Sequence, residues 1–97
     1  MPPVTRVGDM ASGHEAFPPT PVMQGSSNVF AGGASVCKKG DAILLHASGS
    51  PAPPHPRSAK SGSGTVKTNG QPTSRIGDDV DCGGMMMMGF GTVLIGG

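Results

Sequence analysis

Residues 26–41 read SSNVFAGGASVCKKGD, and residues 63–78 read SGTVKTNGQPTSRIGD. The two align without a gap: Val29 with Val66, Gly33 with Gly70, Gly40 with Gly77, Asp41 with Asp78. A third copy is split between the chain ends. GTVLIGG, residues 91–97, matches the first half. PVTRVGD, residues 3–9, matches the second, with Pro3, Arg6, Gly8 and Asp9 at the places of Pro72, Arg75, Gly77 and Asp78. Glycine also stands four residues before each valine, at Gly25, Gly62 and Gly89. Asn-Gly and Gly-Gly pairs favour positive φ, so each unit predicts strand, turn, strand and loop. No stretch carries sustained helical periodicity. A repeat divided between the termini closes when the last strand lies beside the first. The expectation is a ring of three units with pseudo-threefold symmetry, not an open solenoid.

A chain of 97 residues suits one domain spanning 1–97. With 17 glycines, 10 prolines and few large aliphatics, composition alone borders on disorder. A net charge of +1 supplies no self-repulsion, and the repeat tips the reading toward ordered, turn-rich β-structure. So small a core gains from a covalent or metal staple. Near-neutral charge and the lack of Tyr and Trp argue against nucleic acid as a partner. No apolar run approaches the roughly 20 residues of a membrane span, so stable membrane insertion is not expected. The N-terminus, MPPVTRVGDM, has no apolar signal core, which predicts no signal peptide and a cytoplasmic start. Cys37 and Cys82 should then be reduced, which favours a ligand role over a disulfide.

Three loops share a frame: GDMASGH at 8–14, GDAILLH at 40–46 and GDDVDC at 77–82. Threefold closure would bring His14, His46 and Cys82 toward one axis. His55 ends HASGSPAPPH, residues 46–55, whose prolines stiffen a path back to the same place. Taken alone, each histidine reads as an exposed loop residue, and the spacing matches no zinc finger. Taken together by symmetry, three imidazoles and one thiolate are a donor set for structural zinc. Cys37 stands at the Ser74 position inside a predicted strand, which favours a small buried residue. MMMM at 85–88 predicts a strand with alternate methionines inside. Asp9, Asp41 and Asp78 are expected to cap turns by accepting backbone N–H bonds. No Ser-His-Asp arrangement or P-loop is present.

The repeat, with PVTR and PTSR before a GD pair, closely resembles the proline-alanine-alanine-arginine (PAAR) repeat family over nearly the whole chain. The middle copy departs from it: ASVCKKGD lacks the proline and has Lys38 at the arginine position. The resemblance implies a mostly β fold, a small three-sided cone of pseudo-threefold β-repeats with a zinc-tied apex. It implies one structural zinc held by His14, His46, His55 and Cys82, and no enzymatic activity. It also implies a partner: the blunt end of a trimeric β-helical spike, the valine-glycine-repeat (VgrG-like) protein of type VI secretion systems. One monomer would sit on one trimer, sharpen it for membrane puncture and travel with it outside or into a target cell, with effector proteins as further partners.

That role makes physical sense. A β-helix end exposes unpaired backbone groups that a three-sided cap can cover. A pseudo-threefold chain presents near-equivalent faces to a trimer. The base is expected around Val29, Val66 and Val93, with Phe30, Lys67 and Leu94 at one shared repeat position. Two alternatives differ in system or class: a phage tail spike tip, and a small zinc hydrolase with Glu15 as general base. Cys82 as a fourth ligand would close the metal site against the hydrolase.

Overall fold

The computed structural model describes residues 1–13, 18–46, 55–81 and 83–97, with the backbone alone for residues 45, 46, 55 and 56. Among these there is no helix. Ten short strands follow in order: β1 (Pro3–Val4), β2 (Met10–Ala11), β3 (Thr20–Pro21), β4 (Phe30–Ala31), β5 (Ala34–Ser35), β6 (Ala42–His46), β7 (His55–Ser58), β8 (Lys67–Thr68), β9 (Gln71–Pro72) and β10 (Phe90–Leu94). They form five antiparallel pairs: β1–β10, β2–β3, β4–β5, β6–β7 and β8–β9.

Three of these pairs are copies of one hairpin. Phe30 pairs with Ser35, Lys67 with Pro72, and Leu94 with Pro3. The first two hairpins turn on Gly32-Gly33 (φ 58° and 86°) and Asn69-Gly70 (φ 52° and 81°). Two successive positive φ values match the right-handed twist of the flanking strands, which explains the Gly-Gly and Asn-Gly pairs. The third hairpin joins the two ends of the chain, and the Ile95 amide donates to the Pro2 carbonyl at 2.9 Å. The expected closure of TVLIGG against the first strand is therefore present.

Closure is completed on the axis. Thr5 donates its amide to the Ser74 carbonyl at 3.0 Å, Ser74 to Cys37 at 2.9 Å, and Cys37 to Thr5 at 2.9 Å. These three residues are repeat equivalents, and all three are fully buried. Around the triangle run three equivalent bridges: Val4 with Arg75, Val36 with Arg6, and Thr73 with Lys38. The glycines before each valine have their reason here. A β-carbon on Gly25, Gly62 or Gly89 would lie 2.9, 2.6 or 2.7 Å from the carbonyl oxygens of Val36, Thr73 or Val4, the same place in each repeat.

The GD turns repeat with the same fidelity. Asp9, Asp41 and Asp78 each accept the amide three residues back, from Arg6, Lys38 and Arg75, at 2.8, 2.9 and 2.8 Å. Each also pairs with that residue's side chain, at 3.8, 2.7 and 3.0 Å. In each pair a buried carboxylate meets a half-buried cation and a backbone amide together, so its burial is matched by partners. Arg6 and Arg75 reach further, donating to the Ala31 and Gly96 carbonyls at 3.1 Å in the neighbouring hairpin. Lys38 keeps the carboxylate but makes no second link of this kind among the described residues, as expected of a point charge in place of a fork.

The larger apolar cluster holds Ala11, Val22, Cys37, Ile43, Ala59, Val80 and Met86. Apart from Cys37 it is two layers of equivalents, bridged as Ala11–Met86, Val22–Ile43 and Ala59–Val80. The longest side chain faces an alanine, so volume is balanced pair by pair. A second cluster, Val4, Ala31 and Val36 with Phe90, Val93 and Ile95, lies under the hairpins. Of the four methionines at 85–88 only Met86 is inside. The expected alternation of methionines stops there: Met88 is 46 % exposed, and its carbonyl accepts from the Thr5 hydroxyl at 3.1 Å. The fold spans 40 Å along one axis and 23 and 22 Å across it, near-equal widths that suit threefold architecture.

Candidate metal centre

Beyond the apolar layers, β6 and β7 rise as a hairpin. Asp41 to Leu44 alternates buried and exposed, the period of a strand with one face on the core. The pairing runs Ala42 with Ser58, Ile43 with Arg57 and, after a bulge, His46 with His55. Two of the four expected ligands are thus brought opposite one another by backbone register. The path between them, residues 47–54, lies outside the described residues. His14 and Cys82 lie outside the described residues, as does Glu15. Among the described residues no three His, Cys, Asp or Glu side chains gather.

The repeat frame locates the other two approaches. Val22, Ala59 and Met86 are equivalent, so two residues earlier Thr20, Arg57 and Gly84 share one position. Arg57 is 2 % exposed. Its Nη1 donates to Thr20 Oγ1 at 2.6 Å, and the Thr20 hydroxyl passes the interaction on to the Leu44 carbonyl at 2.6 Å. Its Nη2 donates to the Ser12 carbonyl. Gly84 stands against both: a β-carbon there would collide with the Ser12 oxygen and lie 3.0 Å from Nη2. Hydrogen bonds from a charged group contribute about 1.5–3 kcal/mol each. They offset a guanidinium buried with no carboxylate partner among the described residues, its Nε unbonded.

Along the chain, these contacts lie close to the expected ligands. Ser12 is two residues before His14, Leu44 two before His46, Arg57 two after His55 and Gly84 two after Cys82. Three imidazoles and a thiolate suit zinc by donor chemistry, with every position filled by protein. Zinc there would supply a crosslink, not a reactive site.

Arg57 was not legible as a functional residue from the sequence. Its signal is complementarity: a large side chain in one repeat where the equivalent position in another is glycine. Cys37, by contrast, is the buried small residue its repeat position predicted. It lies between the bridges at Val36 and Lys38, outside any named strand. Burial pushes its thiol up to about 11.

The opposite end is apolar and open. Phe30 is 58 % and Leu94 49 % exposed, Lys67 stands at the same repeat position, and Val29 and Val66 are also exposed. A family profile described as PAAR motif matches residues 12–88. No curated protein sequence matches the chain.

Proposed function

Since the chain belongs to the PAAR motif family, a structural family of spike tips linked to valine-glycine-repeat spikes, we propose that it caps such a spike. One monomer would seat its hairpin end on the blunt end of a trimeric β-helix of a type VI secretion system. The observation that carries this reading is the closed pseudo-threefold ring with an exposed apolar rim at one end, Phe30 and Leu94 foremost. A trimer offers three identical edges, and a ring of near-equivalent hairpins can meet all three at once. Unpaired strand ends on the spike gain partners, and the rim loses its contact with water.

The far end would then point forward. His14, His46, His55 and Cys82 would hold one structural zinc there, tying four chain segments where little apolar core exists. The protein would assemble in the cytoplasm, leave with the spike, pierce a membrane and carry effector proteins with it. Its contribution is mechanical, with no reaction catalysed.

The test is reconstitution with the trimeric spike and measurement of complex mass by light scattering. One tip per trimer is the expected stoichiometry. Three tips per trimer would sink the capping model, because one axial end has no room for three.

A further inference from the structure

We propose that Arg57 is the positioning residue of the candidate metal centre: its guanidinium takes the place where Gly84 has no side chain and ties together the segments leading to His14, His46, His55 and Cys82. The inference rests on the metal reading above and adds how that end of the fold is organised.

Symmetry makes the argument. At this level the three repeats offer Thr20, Arg57 and Gly84. Thr20 binds the carbonyl of Leu44, a residue on the strand bridged to its own segment through Val22 and Ile43. By the same geometry, the residue at 84 should bind Ser12, because Met86 is bridged to Ala11. Glycine cannot. Arg57 does so instead, reaching across to the Ser12 carbonyl while its other nitrogen holds Thr20. One side chain thus acts for two repeats. Glycine at 84 is required, since a β-carbon there would displace both the guanidinium and the Ser12 oxygen. A planar fork with fixed donor directions can bridge two such acceptors at once, which an ammonium cannot match.

The experiment uses the full chain with Arg57→Met, Gly84→Ala, Thr20→Val and Thr20→Ser. Amide hydrogen exchange is followed in chelator-treated protein, and zinc transfer to a colorimetric chelator in zinc-loaded protein. Arg57→Met and Gly84→Ala should speed exchange at Ser12 and Val80 at least tenfold while leaving the axial amides of Thr5, Cys37 and Ser74 unchanged. Zinc transfer should quicken by about 10- to 100-fold, as for other residues that orient metal ligands. Thr20→Val, which removes the relay to Leu44 and the acceptor of Arg57 Nη1 but leaves the contact with Ser12, should quicken zinc transfer by a smaller factor, and Thr20→Ser should restore it. Unchanged exchange at Ser12 and Val80 in Arg57→Met would overturn the proposal. Should that variant fail to fold, equal zinc transfer in Thr20→Val and Thr20→Ser would overturn it instead. A wild-type protein that takes up no zinc would overturn the metal reading, while the exchange rates still judge the clamp by itself.

Discussion

Phe30 and Leu94 occupy one structural position on two different hairpins: Phe30 pairs with Ser35 as Leu94 pairs with Pro3, and both side chains face solvent. Neither is part of the core. Phe30→Asp with Leu94→Asp should therefore leave stability within about 0.5 kcal/mol per site, the usual range for surface changes. Binding to the trimeric spike should be lost, with zinc content unchanged. Pull-down and thermal melting of the double variant check both halves. Retained binding would move the interface away from these hairpins.

Cys37 links stability to alkaline pH. Burial raises its pKa from 9.0 to about 11, so the folded state holds the thiol proton more tightly than the unfolded chain does. The resulting contribution is fully present below pH 9 and is lost as pH rises from about 9 to 11. At 1.36 kcal/mol per pKa unit, the loss is of order 2–3 kcal/mol. Urea unfolding at pH 8 and pH 11 should show it, and Cys37→Ser should remove the thiol's share. The same variant should keep its zinc.

Elemental analysis of protein purified without a metal-affinity tag should find one zinc per chain. Cys82→Ser should lower that occupancy. In small metal-dependent folds zinc contributes about 10 kcal/mol or more, but the axial hydrogen bonds of Thr5, Cys37 and Ser74 use no expected ligand and should survive its removal. Loss of the metal should then lower the melting temperature without abolishing the β-sheet circular dichroism. Sub-stoichiometric zinc that added zinc cannot restore would refute the site.

Removing residues 92–97 takes away more than an end. It deletes part of β10, the Gly64 amide's partner at Gly97, and the Gly96 carbonyl that accepts from Arg75 and Ser63. Val93 and Ile95 leave the second apolar cluster with it. The truncated chain should be unfolded by circular dichroism. A folded, soluble truncation would mean that two hairpins suffice for the ring.

Two glycines separate packing from chance. Gly62→Ala would place a β-carbon 2.6 Å from the Thr73 carbonyl, whereas Gly91→Ala meets nothing within 4 Å. The first should cost about 1–3 kcal/mol, as overpacking does, and the second well under 1. Equal melting temperatures would contradict the close approach of the repeats.

Most of the ring was legible because it is built from identity. Gly8, Gly40 and Gly77, the Asp caps and the valine positions recur in sequence and recur in space. The far end was legible only in part. His46 and His55 could be named from loop position, but their direct opposition depends on a bulge in β6–β7 that no residue type announces. Arg57 and Gly84 carry no such signal, for a different reason. Repeat matching rewards sameness, and this pair works by difference, one residue filling what the other omits. The alternation of methionines ends at Met86, and the Met88 backbone is held by the Thr5 hydroxyl instead.

The triangle of Thr5, Cys37 and Ser74 also sets how the molecule comes apart. In a linear array the outermost unit can peel away while its neighbours hold, so loss proceeds stepwise from an end. Here every unit is flanked on both sides, and releasing one breaks two of the three axial bonds. Unfolding should be all-or-none, with no partly frayed species at intermediate denaturant. In the proposed role as a spike tip, that cooperativity would mean resistance to erosion: the body would hold its form entire or lose it entire.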